Sequence, residues 1–123
     1  MSYVTPITNH TASSYWNLAD WTRINNNAIA VKALADTYLG VTIPRVSVST
    51  PSAYSWPVLA DLNNFIKNID DIRAAFVTAS ITIPGVVILR HAYTKGPNGL
   101  SPSYIDWNKW ENDLKLMYDY LTE

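Results

Sequence analysis

The chain has 123 residues, of which 48% are hydrophobic and only 15% are charged. This length supplies one domain with a core of its own. Nine basic and ten acidic residues give a net charge of −1, which argues against nucleic-acid binding, because nucleic-acid-binding domains carry a basic face. No apolar run approaches the roughly 18 residues of a membrane span, so we expect no membrane insertion. The lack of cysteine excludes disulfides and thiolate chemistry.

The first predicted helix follows a polar stretch with scattered aromatic residues, residues 1–16, which we expect to form an N-terminal arm. Asp20 heads the helix, and apolar residues then recur at alternating intervals of three and four, which is typical of one helix face. Asn17 is the predicted N-cap, and Gly40 is the predicted C-terminal glycine. The apolar stripe contains Trp21, Ile24, Ala28, Val31 and Ala35.

Extended segments follow the first and second predicted helices, and each opens with Thr-Ile-Pro, at residues 42–44 and 82–84. In the first segment Val46 and Val48 alternate with serine, which is typical of a half-exposed strand. In the second, residues 86–89 are continuously apolar. The pattern therefore predicts a small two-stranded β element that uses the helices as backing.

Two further helices repeat the spacing of the first, with Asp61 and Asp106 in the place of Asp20. The second is predicted to begin near residues 55–57 and the third at residues 101–102, where serine precedes proline. Their apolar stripes contain Leu62, Phe65, Ile69, Ile72 and Phe76 in one helix, and Trp107, Trp110, Leu114, Met117 and Leu121 in the other.

Together these elements predict an α+β, mainly α fold. Three amphipathic helices pack as a bundle, with the small two-stranded β element between helices. The predicted organisation is the arm, residues 1–16, followed by a single helical domain, residues 17–123, with an internal repeat over residues 17–54, 55–100 and 101–123. The predicted structural core consists of Trp21, Ile24, Leu62, Phe65, Ile69, Ile72, Trp107, Trp110 and Leu114.

The residues that could carry chemistry have structural interpretations. His10 lies in the polar N-terminal stretch and is expected to face solvent, while His91 ends a predicted strand. Asp70 and Asp71 are neighbours on a helix, where side chains point about 100° apart, so we expect a solvated face and no catalytic pair. The chain has no Gly-x-Ser-x-Gly, glycine-rich phosphate loop or paired-histidine motif. We therefore expect no catalytic residue, no cofactor and no metal.

Aromatic residues outside the apolar stripes are candidates for contacts with other molecules. Aromatic side chains at loop edges stack on sugars or fill a partner's pocket, and the aromatic residues of the last helix cannot all face one core. The candidates for an interface or a glycan contact are Tyr54, Trp56, Tyr93, Tyr118 and Tyr120. Asparagines inside the helices either face solvent or bond across helices, and Asn26 and Asn112 are the preferred candidates for the bonded role.

Two strings resemble a helix-opening pattern in structural proteins of tailed phages and prophages of Gram-positive bacteria. They are Tyr-Trp-Asn-Leu-Ala-Asp-Trp-Thr-Arg-Ile at residues 15–24 and Tyr-Ile-Asp-Trp-Asn-Lys-Trp-Glu at residues 104–111. Asn-Ile-Asp-Asp-Ile-Arg at residues 68–73 is similar to the central helix of that family, and Thr-Ile-Pro at residues 82–84 resembles the turn that follows it. The similarity covers residues 15–123.

This resemblance implies a non-enzymatic virion protein, a component of a tail, baseplate or fibre-like appendage. Its expected partners are other virion proteins and copies of itself, and its expected location is the virion, assembled in the host cytoplasm. The family pattern carries no catalytic residues. The alternative that the aromatic residues leave open is a module that binds a glycan or a cell surface.

Overall fold

A computed structural model of the protein describes four stretches of the chain: residues 3–11, 18–51, 59–93 and 102–123. They contain three α-helices, each in contact with the other two: α1 (Leu18–Leu39), α2 (Leu59–Thr78) and α3 (Tyr104–Thr122). The prediction of a mainly α bundle of three helices is confirmed.

The core lies where the apolar stripes of the three helices meet. The ring of Trp21 stacks on Phe65 with the centroids 4.0 Å apart, and Trp110 meets Phe65 edge-on at 5.8 Å. All nine residues of the predicted core are at most 8% exposed. Each helix thus contributes at least one large ring or branched side chain to a shared interior.

Three extended stretches accompany the helices: segment 1 (residues 3–11), segment 2 (residues 43–51) and segment 3 (residues 86–93). Segment 1 bonds to α1 and α3, segment 2 to α1 and α2, and segment 3 to α2 and α3. Every groove between two helices therefore holds one extended segment.

The segments also set the direction of the helices. Along segment 3, Leu89 bonds to Asp70 and the later Tyr93 bonds to Asn63, so this segment runs opposite to α2. Segment 1 likewise contacts Glu111 before it contacts Asn108, which lies earlier in α3. Segment 3 thus returns the chain to the end where α2 began. The ring contacts of Trp21, Phe65 and Trp110 lie near the starts of the three helices and those of Tyr38, Phe76 and Tyr120 near their ends, so the three helices run in the same direction.

The predicted two-stranded β element is wrong, because the described residues contain no strand. Segments 2 and 3 lie in different grooves and do not pair with each other. The backbone of Val46 bonds to the side chain of Asn68, and the N–H of Val87 bonds to Asp113. Helix side chains therefore take the place that a neighbouring strand would have in a sheet.

The ends of the helices follow local rules. Helix α3 begins two residues after the predicted Ser-Pro start, because the Asp106 carboxylate accepts the N–H of Ser103, 2.9 Å away, and caps the helix there. Gly40 follows α1 with a φ of +67°, a left-handed conformation that glycine adopts at low cost. The predicted N-cap Asn17 and the predicted start of α2 lie outside the described residues.

Candidate interaction site

Two helices carry an asparagine that holds an extended segment, seven residues after the leading aspartate in both cases. In α1, Asn27 Oδ1 accepts the N–H of Val4 at 2.9 Å, and Nδ2 donates to the Val4 carbonyl at 3.0 Å. In α2, Asn68 makes the same pair of bonds to Val46, at 2.9 and 2.7 Å. Each amide therefore binds one residue of backbone as a neighbouring strand would.

The third helix has Asp113 at the equivalent position. Its Oδ1 accepts the N–H of Val87 at 3.0 Å, while the buried Oδ2 has no hydrogen-bond partner within the described stretches. Burial raises the pKa of Asp113 to about 7; the Val87 N–H opposes this shift, and the Asp70 carboxylate adds to it. We call Asn27, Asn68 and Asp113 the clasp residues.

A second set of asparagines lies two residues after the leading aspartate. Asn63 accepts the N–H of Tyr93 at 2.9 Å and donates to its carbonyl at 3.0 Å. Asn108 does the same to His10, at 2.7 and 2.9 Å. The equivalent residue of α1 is Thr22. Each helix therefore bonds to the segment before it through its clasp residue. At the second position, α2 bonds to segment 3 and α3 bonds to segment 1.

The pattern identifies the repeating unit as an extended segment followed by a helix. Segment 1 supplies the first unit, since its bonds to α1 match those of segment 2 to α2. This differs from the predicted division, in which residues 1–16 were an arm outside the repeat. The physical reason is that segment 1 fills the groove between α1 and α3 just as the other segments fill theirs.

A buried charge cluster joins segment 1 to two helices. Glu111 of α3 accepts bonds from Arg23 Nε at 2.7 Å and from the N–H of Ile7 at 3.0 Å. Nε2 of His10 lies 2.6 Å from Glu111 Oε2, and Arg23 also binds Asp20 at 2.7 Å. The expectation that His10 faces solvent is therefore wrong, because Glu111 draws its ring into the groove, where it is 9% exposed.

Asp70 has a comparable role on α2 and is also buried, so the prediction of a solvated pair is wrong for this residue. It accepts the N–H of Leu89 at 3.0 Å and Arg73 Nε at 2.7 Å. Burial alone would raise the pKa of Asp70, but the bonds from Arg73 and Leu89 outweigh it and lower the pKa. Asp71 remains half-buried, and His91 lies 3.8 Å from Asp70.

Of the three aromatic residues considered for glycan stacking, the structure describes only Tyr93. Tyr93 is only 4% exposed, and its backbone is fixed by Asn63. Burial raises the pKa of its hydroxyl to about 12. The expectation that Tyr93 offers a ring to a partner is wrong, because its ring is part of the core. Tyr54 and Trp56 lie outside the described residues.

The two candidate tyrosines of α3, Tyr118 and Tyr120, are half-buried against the same chain. Tyr118 stacks on Tyr3 of segment 1, with the rings 3.9 Å apart and nearly parallel. The hydroxyl of Tyr120 lies 3.2 Å from that of Tyr38, and its ring meets Phe76 edge-on. These contacts lie toward the C-terminal ends of the helices, where Tyr38 is 56% exposed.

The asparagines that bond to the extended segments are not the two that the sequence analysis preferred for a bonded role. Asn26 and Asn112 are half-buried, and their side chains make no hydrogen bond in the stretches that the structure describes. The bonding position is one residue further along, at Asn27, Asn68 and Asp113. Counting from each leading aspartate would have found it, because this position carries Asn or Asp in all three copies.

The C-terminal half of α2 is flanked by two apolar clefts. One has a volume of about 460 Å³ and includes Val41 and Ala74, and the other is smaller, about 90 Å³, and includes Val77 and Ile88. Val77 is 60% exposed, Ile88 76% and Val41 49%. We call these two clefts and the four residues Val41, Ala74, Val77 and Ile88 beside them the α2 surface.

No helix within the described ranges is long and apolar enough to cross a membrane. Nor do these ranges contain three or more histidine, aspartate or glutamate residues arranged to hold a metal ion. Comparisons of the chain with protein-family models, with curated proteins and with solved structures find no match.

Proposed function

We propose that the protein is a non-enzymatic structural component that works by assembling with other proteins and with copies of itself. The α2 surface is the observation that carries this proposal. Exposed apolar side chains beside clefts are typical of surfaces that bind a protein partner. Val77 and Ile88 are both more than half exposed, and both line a cleft that a partner's apolar side chain would fill.

The use of the buried polar groups supports the same proposal. Asn27 and Asn68 each bind backbone, and Glu111 and Asp70 each bind both backbone and an arginine. Buried polar groups must be hydrogen-bonded to be tolerated. Here they fix extended chain to helices, which is a role in building the fold.

The resemblance of residues 15–24 and 104–111 to helix-opening strings of phage structural proteins supports a place in a virion. We therefore propose a tail, baseplate or appendage component of a bacteriophage. If so, particles purified from a host that carries the gene contain the chain at a constant ratio to the other tail proteins. Mass spectrometry of banded particles measures this ratio, and particles that lack the chain would refute the virion assignment.

The assembly proposal is tested by sedimentation velocity of the purified chain, alone and mixed with the structural proteins encoded beside it. We expect a species larger than the 13.8 kDa monomer. Ile88→Lys should abolish it, because a charge would be desolvated in the contact. Ala33→Lys on exposed α1 is the matched control and should leave it unchanged. A wild-type chain that stays monomeric in every mixture contradicts the proposal.

The alternative of a glycan-binding module has less support. It relied on Tyr54, Trp56 and Tyr93 as a stacking platform, and Tyr93 is buried. Binding on a glycan array that is lost when Tyr54 and Trp56 are replaced by alanine would restore it.

A further inference from the structure

The three clasp residues occupy equivalent positions but do not make equivalent bonds. Asn27 and Asn68 each accept one bond from a backbone N–H and return one to the carbonyl of the same residue. Asp113 accepts the N–H of Val87, but its second oxygen is buried and unpartnered within the described part of the chain. A carboxylate cannot donate, whereas a protonated carboxyl has one O–H donor, like the N–H of an amide.

We propose that Asp113 is a proton-operated clasp, whose neutral form donates an Oδ2–H bond to the Val87 carbonyl and whose ionised form gives this bond up. The neutral carboxyl reproduces the two-bond geometry of the asparagines. The carboxylate instead leaves Oδ2 charged and without a hydrogen bond in a residue that is 0% exposed, which is costly. Ionisation therefore loosens segment 3 at Val87. The neighbouring Val86 and Ile88 line the smaller cleft, so ionisation loosens the chain on one side of this cleft.

The charged groups around Asp113 shift its pKa in both directions. From α2, the Asp70 carboxylate favours the neutral form, while Arg73 favours the carboxylate, as does Lys109 on α3 itself. Arg73 already makes two hydrogen bonds to Asp70, at 2.7 and 3.1 Å, so its charge is largely neutralised by that carboxylate. From segment 3, His91 faces Asp70 at 3.8 Å.

The direction of the pH dependence follows from the two states of the chain. Burial raises the pKa of Asp113 from 3.8 to about 7 in the folded protein. The folded state therefore holds the proton more tightly than the unfolded state. The stabilisation is complete below the unfolded value and is lost progressively as the pH rises to the folded one. Between pH 5 and pH 8 the folding equilibrium constant should fall by roughly tenfold to a hundredfold through this group.

The test compares the wild-type chain with Asp113→Asn in urea denaturation at pH 5 and at pH 8. Asparagine makes both bonds at either pH, so the ratio of the variant's folding constant to that of the wild type should rise about tenfold or more from pH 5 to pH 8. Asp119→Asn is the control on the same helix, because Asp119 is half-exposed and pairs with Lys115. Its ratio should change less than about threefold.

Two further measurements separate the proposal from its competitors. Histidine also titrates in this pH range, so the comparison is repeated in a His91→Gln background, where the same rise is expected. In the wild-type chain, carbon NMR should show the Asp113 carboxyl titrating near pH 7, and the Val87 amide shift should follow with the same midpoint. The proposal is overturned by a carboxyl that is ionised below pH 5, or by an Asp113→Asn variant that is less stable relative to wild type at pH 8 than at pH 5. The latter result would make Asp113 an ion-pair partner of Arg73.

Discussion

Replacing Asn68 by alanine tests the clasp in its simplest form. The substitution removes both bonds to Val46, of 2.9 and 2.7 Å, and leaves the helix intact, because alanine is the best helix former. Asn64 offers a matched control on the same helix. It is half-buried and its side chain makes no hydrogen bond within the described residues, so Asn64→Ala removes the same atoms without removing a hydrogen bond to a segment.

The size of the effect follows from the burial of the two partners. Each lost bond costs about 1 kcal/mol, and a group left buried without a partner costs about 1–3 kcal/mol more. Asn68 is 5% exposed, but Val46 is 46% exposed, so water reaches the vacated backbone in part. We therefore expect Asn68→Ala to lower the free energy of unfolding by about 2 kcal/mol, and Asn64→Ala to change it by at most about 0.5 kcal/mol.

Urea denaturation followed by far-ultraviolet circular dichroism measures both variants. With a slope of about 1–3 kcal/mol per molar urea, the midpoint of Asn68→Ala should fall by roughly 1 M. Asn68→Asp should behave as Asp113 does and lose stability relative to the wild type from pH 5 to pH 8. The reasoning is refuted if Asn68→Ala costs no more than Asn64→Ala, because segment 2 would then be held by something other than the amide.

Two more predictions concern the core and the buried charges. Trp110→Ala removes a ring that is 2% exposed and should cost about 3–5 kcal/mol; thermal denaturation checks this, and a loss under about 1 kcal/mol would place Trp110 outside the core. Glu111→Gln removes the charge between Arg23 and His10 and should cost about 3 kcal/mol. Urea denaturation at pH 7 measures it, and a variant as stable as the wild type would show that the cluster is not needed.

The helices and their core were predictable because both follow from periodicity. The stripes headed by Asp20, Asp61 and Asp106 place Trp21, Leu62 and Trp107 on one face, and the structure buries each of these three residues. The stripes alone predict a three-helix bundle, because each apolar stripe must be buried and the other two stripes can bury it.

The grooves could not be predicted in the same way. Alternating valines such as Val46 and Val48 indicate extended backbone but do not specify which groups will bond to it. A neighbouring strand is the usual partner, and this is why a β element was expected. The burial of His10 and Asp70 was missed for the same reason, because both side chains lie at grooves filled by extended chain. The available signal was the recurrence of Asn27, Asn68 and Asp113 at one position of the helical repeat.

The central claim, that helix side chains hold single extended segments in the grooves, is tested most directly by amide hydrogen exchange. The account predicts slow exchange at the bonded amides and fast exchange at unbonded neighbours such as Ser47 and Ile88. The amides predicted to be slow are those of Val4, Ile7, His10, Val46, Val87, Leu89 and Tyr93. Exchange at unfolded-chain rates throughout the three segments would contradict the account, as would cross-strand contacts that pair segment 2 with segment 3.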